Sequence, residues 1–404
     1  MKVTLQDIQT AQKTIQNLII ETPCELSRSC SKLLANGSPL EIYLKLENNQ
    51  RTGSFKMRGA SNKIASLTAE ERSRGVIACS AGNHAQGVAL SAQLTKVKSV
   101  IVMPETAPLT KIQATQNYGA EVILKGQTFD EAKAHAYKLA DEKGYVFVHP
   151  YEDATVIAGQ GTVGLEVFSQ IKDLEMIIVP VGGGGLISGI AIALKALNPK
   201  IKVIGVQTQA VDTMYQLFKK MQPDLSRLTS TIADGIAVQS PSQVMFDSFI
   251  SKYVDDMVTV SEGEIAEAIV FLLERAKTVA EGAGAAAMAA LLSKKITPAN
   301  KTCVMVCGGN IDLNIISQVI QRGQIRSGRL CDMSVIVPDV PGSLSELTRI
   351  LAEHKANILE VHHDRIKHGL NLKETRIDFV IETTGHQHIE RIRESLKKWG
   401  AKVG

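Results

Sequence analysis

Short β-branched runs alternate with longer stretches of helical period over the first three quarters of the chain. Strand-length apolar runs stand at 42–47, 76–79, 99–103, 121–124, 145–148, 176–181, 202–207 and 301–307. Between them, apolar residues spaced by three and four predict helices over 83–94, 129–143, 186–197, 263–277 and 282–292. This alternation predicts an α/β unit whose mostly parallel strands are covered on both faces. In the first twenty residues, Leu5, Ile8, Ile15 and Leu18 repeat with helical spacing, which predicts an amphipathic helix rather than a signal peptide.

The pattern changes past a polar stretch at 324–330 that contains arginine and glycine. A strand (333–338), a helix (342–354), two strands (358–365 and 375–382), a helix (388–400) and a last short strand at 402–404 follow. That order is a split βαβ, ferredoxin-like α+β unit. The boundaries expected are therefore 1–325 for the large unit and 331–404 for the small one.

Composition narrows the function classes. Hydrophobic residues make up 44% and charged residues 21% of the 404 positions, as in a globular protein with a full core. Aromatics are only 4%, which argues against base-stacking platforms, and the net charge of +4 is scattered. Neither a nucleic-acid nor a membrane partner is expected, since no apolar run approaches the roughly 18 residues of a membrane span. The six cysteines form no Cys-x-x-Cys pair and complete no zinc spacing with nearby histidines. Free thiols in a cytoplasmic protein, without a metal centre, are the expectation.

In open α/β sheets ligands sit past the carboxyl ends of strands, and four such ends carry candidate chemistry. Thr52-Gly53-Ser54-Phe55-Lys56-Met57-Arg58-Gly59-Ala60 lies between a strand and a helix. Lys56 there is either an ordinary solvated helix-start residue or, partly desolvated beside Phe55, an amine of lowered pKa that forms imines with aldehydes. Ser80-Ala81-Gly82-Asn83-His84 follows the 76–79 strand. A small-residue loop opening a helix offers N–H groups to a carboxylate, although Asn83 and His84 taken alone are equally ordinary first-turn residues. Gly182-Gly183-Gly184-Gly185-Leu186-Ile187-Ser188-Gly189 follows the 176–181 strand and suits a single phosphate. A dinucleotide fingerprint fails, because the G-x-G-x-x-G register started at Gly182 lands on Ile187 and started at Gly183 lands on Ser188. The next strand also ends in Gln207 rather than an acid. Cys307-Gly308-Gly309-Asn310 closes the last strand, with Cys307 either a small buried hydrophobe or a weak hydrogen-bonding group facing the site.

Together, in this order, these four segments resemble the fold-type II pyridoxal-5′-phosphate (PLP) enzymes, most closely the threonine/serine dehydratases, over nearly all of residues 1–325. The resemblance implies a tryptophan-synthase-β-like catalytic unit of two lobes, the smaller roughly 48–150. It implies that Lys56 holds PLP covalently, Phe55 flanks its ring, and Asn83 faces the ring 3′-oxygen. Gly182, Gly183, Gly184, Gly185 and Leu186 would bind the phosphate, and Cys307 would sit opposite the pyridine nitrogen. Gly235 and Glu281 would line the cofactor, and Ser80, Ala81, Gly82, Asn83 and His84 would receive the substrate. In the implied reaction the substrate amine displaces Lys56, and the freed lysine takes the Cα proton. The β-hydroxyl then leaves, and the released enamine hydrolyses to a 2-oxoacid and ammonia. A thiol at 307 is a poor proton partner for the pyridine nitrogen, which favours prompt loss of a β-leaving group. Threonine is the expected substrate, giving 2-oxobutanoate, with serine giving pyruvate. Serine as the main substrate, a β-replacement enzyme and a non-catalytic amino-acid sensor are the competing readings.

Two departures matter. Similar serine racemases carry a serine where this chain has Ala81, so racemisation is disfavoured. They also bind a divalent ion through acidic residues where this chain has Gln207 and Thr213, so no such metal is expected. The tail resembles an ACT domain, with Val337-Pro338-Asp339-Val340-Pro341-Gly342-Ser343-Leu344 as its first strand–loop–helix. Such domains commonly bind amino acids at paired interfaces, so the tail is expected to be either the site of an amino-acid effector, for which isoleucine or valine fits an enzyme of branched-chain synthesis, or a purely structural dimerisation module. Relatives form homodimers and homotetramers.

Overall fold

In the computed structural model, which describes all residues except 36, 38 and 366–369, the chain divides into two compact units, Met1–Ile311 and Asp312–Gly404. The large unit holds two sheets. One runs Cys24–Leu26, Glu41–Leu46, Lys301–Val306, Met176–Pro180, Lys202–Thr208, Asp256–Val260 in spatial order, all parallel except the first pair. The other is fully parallel in the order Glu121–Leu124, Ser99–Met103, Val76–Cys79, Val146–Phe147. Every residue of Met176–Pro180, Ser99–Met103 and Val76–Cys79 is buried, as strands covered on both faces must be.

The amphipathic N-terminal helix spans Leu5–Ile15 and starts at a Thr4–Asp7 capping box, which satisfies two backbone donors reciprocally. Helix Asn83–Thr95 follows its strand directly, and Gly185–Leu197 follows the glycine turn. The expected helix over 263–277 is α-helical only for Glu262–Phe271 and continues as a π-helical turn, Leu272–Ala276. A long helix, Ala154–Gln170, and the strands Cys24–Leu26 and Asp256–Val260 are additions to the elements the pattern predicts.

The small unit is an antiparallel sheet ordered Asn357–Asp364, Glu374–Glu382, Leu330–Pro338, Lys402–Val403, carrying helices Ser343–Glu353 and His386–Trp399. Its core gathers Met333, Val335, Leu347, Leu351, Phe379 and Ile392. Helix Leu313–Arg326 belongs with this unit, so the division falls earlier than the polar stretch at 324–330 suggests.

Candidate active site

Lys56 opens helix Lys56–Ala65, and the residues before it are zipped to the end of a central strand. Ser54 bridges Gly308, Phe55 N–H donates to the Cys307 carbonyl at 3.2 Å, and Gly309 N–H donates to the Gly53 carbonyl at 2.9 Å. The Lys56 side chain is half-buried, with Nζ donating to the Pro150 carbonyl at 3.0 Å and lying 5.2 Å from the Phe55 ring centre. Burial lowers its pKa to about 8, against the opposing pull of Cys307 and Glu281. About a tenth of the amine is therefore neutral at pH 7, far more than for an ordinary lysine, and can attack a carbonyl.

Across from Lys56, Asn83 and His84 begin helix Asn83–Thr95. In the preceding loop the Ser80 hydroxyl accepts from Gly82 N–H at 3.1 Å, while Ala81 contributes only a methyl group. The Asn83 amide donates to Glu281 Oε1 at 2.6 Å and accepts from Asn310 Nδ2 at 2.7 Å. His84 Nε2 pairs with the Val148 carbonyl at 2.8 Å. A carbonyl can only accept, and burial with the nearby Lys56 charge lowers this imidazole to about 3, so it is neutral with its proton on Nε2. His84 thus offers the loop a backbone N–H while its ring braces the strand end.

The glycine turn leaves strand Met176–Pro180 and ends at Gly184, whose φ of +90° caps helix Gly185–Leu197. A Cβ on Gly183 would stand 2.3 Å from Tyr151 Cδ1, so the ring seals one side of the turn. Leu186 is buried behind it. Cys307 Sγ points to the Ala283 carbonyl at 3.4 Å, and burial raises its pKa, keeping it a thiol. Glu281 precedes helix Gly282–Leu292; burial, then the Asp234 carboxylate, pushes it up to about 7, against its bond from Asn83. Gly235 lies beside it, where a Cβ would come within 3.6 Å of Glu281 Oε1.

Two groups escaped the sequence reading. The segment His149-Pro150-Tyr151 supplies a carbonyl to Lys56 and a ring to the glycine turn. His149 there is neutral, lowered to about 4 chiefly by burial, and its Nδ1 accepts from Glu152 N–H at 2.8 Å. Arg58, two residues past Lys56, is fully buried. It donates to Glu47 at 2.8 and 2.7 Å, to Glu166 at 2.6 and 2.8 Å and to Thr162 at 3.1 Å. Lys45 Nζ joins Glu166 at 2.6 Å. The Arg of the lysine motif was a visible signal for this network; a backbone carbonyl gives none.

Among the described residues no His/Cys/Asp/Glu group is arranged to hold a metal ion, and no helix is long and apolar enough to cross a membrane.

Residues 15–308 match the family of pyridoxal-phosphate-dependent enzymes, and 333–398 match the ACT domain. The L-threonine ammonia-lyase of Thermotoga maritima is 48% identical over 99% of each chain. The processed form of threonine deaminase isoform 2 from Solanum lycopersicum superposes with a TM-score of 0.73 at 37% identity, covering 79% of this chain and 92% of that one. Serine racemase from Dictyostelium discoideum does so with a TM-score of 0.71, also at 37% identity, covering 77% and 99%. The residues fit such a cofactor: a desolvated amine bonds Pro150, and the next residue, Tyr151, packs on a side-chain-free turn at a helix N-terminus. The hydroxyls of Ser54, before Lys56, and Ser188, after the turn, are buried without a hydrogen-bond partner. The chain belongs to the pyridoxal-phosphate-dependent enzyme family and joins its α/β catalytic unit to an ACT domain.

Proposed function

We propose that the chain is a threonine ammonia-lyase, converting L-threonine to 2-oxobutanoate and ammonia, and acting on L-serine to give pyruvate. The observation that carries this is the pairing of a desolvated Lys56 amine with a thiol, Cys307, rather than a carboxylate across the site. Bound PLP supplies an electron sink that makes the substrate Cα proton acidic. Lys56, whose amine donates to the Pro150 carbonyl, would hold the cofactor and, when free, would take the Cα proton. The turn Gly182–Gly185 and the N–H of Leu186 hold the phosphate at a helix N-terminus. Backbone N–H groups at Ser80–His84 take the substrate carboxylate, and Phe55 flanks the ring. Asn83 presents an N–H to the ring 3′-oxygen, with Glu281 and Gly235 on the same side. The protonated Cys307 thiol leaves the pyridine nitrogen without an acidic partner, which favours departure of the β-hydroxyl over a long-lived carbanion. Ala81 has no group to deliver a proton to the opposite face of Cα, which disfavours racemisation.

The ACT unit is the place for an amino-acid effector, and a homodimer or homotetramer is the assembly proposed. Initial rates of the holoenzyme on threonine and on serine, each with and without isoleucine, valine and AMP, test the proposal. Formation of 2-oxobutanoate with the higher kcat/KM on threonine, and a rate altered by an amino acid, is the expected outcome. A far higher kcat/KM on serine would overturn the substrate, and turnover of neither would overturn the activity.

A further inference from the structure

An asparagine amide has a donor end and an acceptor end of nearly equal shape, so its orientation is set by its partners. The Thr52 carbonyl can only accept, and Asn310 Nδ2 donates to it at 2.7 Å. The same nitrogen donates its other hydrogen to Asn83 Oδ1 at 2.7 Å. Asn310 is itself anchored by Lys111, whose Nζ donates to its backbone carbonyl at 2.8 Å. The Asn83 nitrogen is thereby turned away from Asn310, giving one hydrogen to Glu281 at 2.6 Å and leaving the other for a ligand. Glu281 reaches this position because Gly308 has no side chain; a Cβ there would stand 2.3 Å from Oε1. Glu281 cannot choose the orientation by itself. Pushed up to about 7, its carboxyl accepts from an amide when ionised and donates to one when protonated, so it tolerates either end.

We infer that Asn310 is a positioning residue: it fixes which end of Asn83 faces the cofactor, so that an N–H and not a carbonyl oxygen meets the ring 3′-oxygen. This rests on the proposal that Asn83 faces that oxygen. A hydrogen bond donated to the 3′-oxygen favours its ionised form, which absorbs in the visible, over the protonated form, which absorbs in the near ultraviolet.

The test is the absorption spectrum of the reconstituted, substrate-free holo-protein for wild type, Asn310→Ala, Asn310→Asp, Asn83→Ala and Asn83→Ala/Asn310→Ala. Asn310→Asp keeps the shape while removing both donors, so it reports should the alanine variant fold poorly. With both orientations open, the visible-to-near-UV ratio should fall roughly twofold in Asn310→Ala and further in Asn310→Asp. The PLP dissociation constant should rise about tenfold, the worth of one hydrogen bond to a charged group. On the Asn83→Ala background, loss of Asn310 should change neither quantity further. Wild-type ratios in both Asn310 variants, or an equal effect of Asn310→Ala with and without Asn83, would overturn the inference. A wild-type protein that never develops a visible band with PLP would instead overturn the cofactor assignment beneath it.

Discussion

Replacing Arg58 with methionine isolates the buried charge network behind the lysine helix. The change removes six hydrogen bonds, four of them to Glu47 and Glu166 and the others to Thr162 and the Ile20 carbonyl, and among the described residues leaves Glu47 the Thr22 hydroxyl as its side-chain partner. Removing one partner of a buried ion pair costs about 3–5 kcal/mol, because the remaining charge stays desolvated. An unfolding entropy near 2.1 cal/mol/K per residue gives about 0.65 kcal/mol per kelvin for Met1–Ile311, so Tm should drop by about 5–8 °C at pH 7.5. The pH dependence identifies the cause. In the native protein burial pushes Glu47 up, but the Arg58 guanidinium and Lys45 outweigh it and hold the carboxyl below its usual range. That lowered pKa contributes stability above the unfolded value of about 4.3, lost as pH falls through the folded value. Without Arg58, burial dominates and the folded pKa rises above the unfolded one, so the penalty is greatest at neutral pH and fades as acid neutralises Glu47. Differential scanning calorimetry of both proteins at pH 7.5 and 5 reads this directly. A Tm deficit below about 2 °C, or an equal deficit at both pH values, would refute the reasoning.

Two further outcomes follow from the site. Gly183→Ala puts a methyl group 2.3 Å from the Tyr151 ring, so either the ring or the turn must move. PLP titration followed by absorbance should show at least about tenfold weaker binding, with the apo-protein Tm lower by only about 2–5 °C, the cost of overpacking. The rate of PLP association with apo-protein should rise about tenfold per pH unit below 8 and level off above it, because only the neutral Lys56 amine adds to an aldehyde. A flat profile between pH 6 and 9 by stopped-flow absorbance would assign the attacking amine elsewhere.

Much of the frame is legible in the sequence because buried parallel strands are short continuous apolar runs. The 76–79 and 99–103 runs are such buried strands over those residues, 121–124 is an apolar-centred strand at a sheet edge, and 129–143 and 282–292 are helices over theirs. The missed elements lack that signature. Asp256–Val260 is an edge strand whose apolar run is broken by Asp256 and Thr259, and Cys24–Leu26 is three residues long. Helix Ala154–Gln170 is buried nearly all round, which erases the amphipathic period. Helix Leu313–Arg326 reads as the end of the large unit because chain order does not reveal which core a helix joins. The site divides in the same way. Glycines, a lysine and a cysteine at strand ends carry their chemistry in the residue type, so four segments could be picked out beforehand. The Pro150 carbonyl, the Tyr151 ring against Gly183 and the route from Thr52 through Asn310 to Asn83 depend on backbone and geometry that no local pattern encodes.

The central claim is that the ε-amine of Lys56 carries the cofactor. Reduction of the yellow holo-protein with borohydride, followed by peptide mass mapping, should find a phosphopyridoxyl group on the peptide containing Lys56 and on no other lysine. The Lys56→Ala protein should lose the visible band and all turnover. An adduct fixed on a different lysine, or full activity retained in Lys56→Ala, would contradict it.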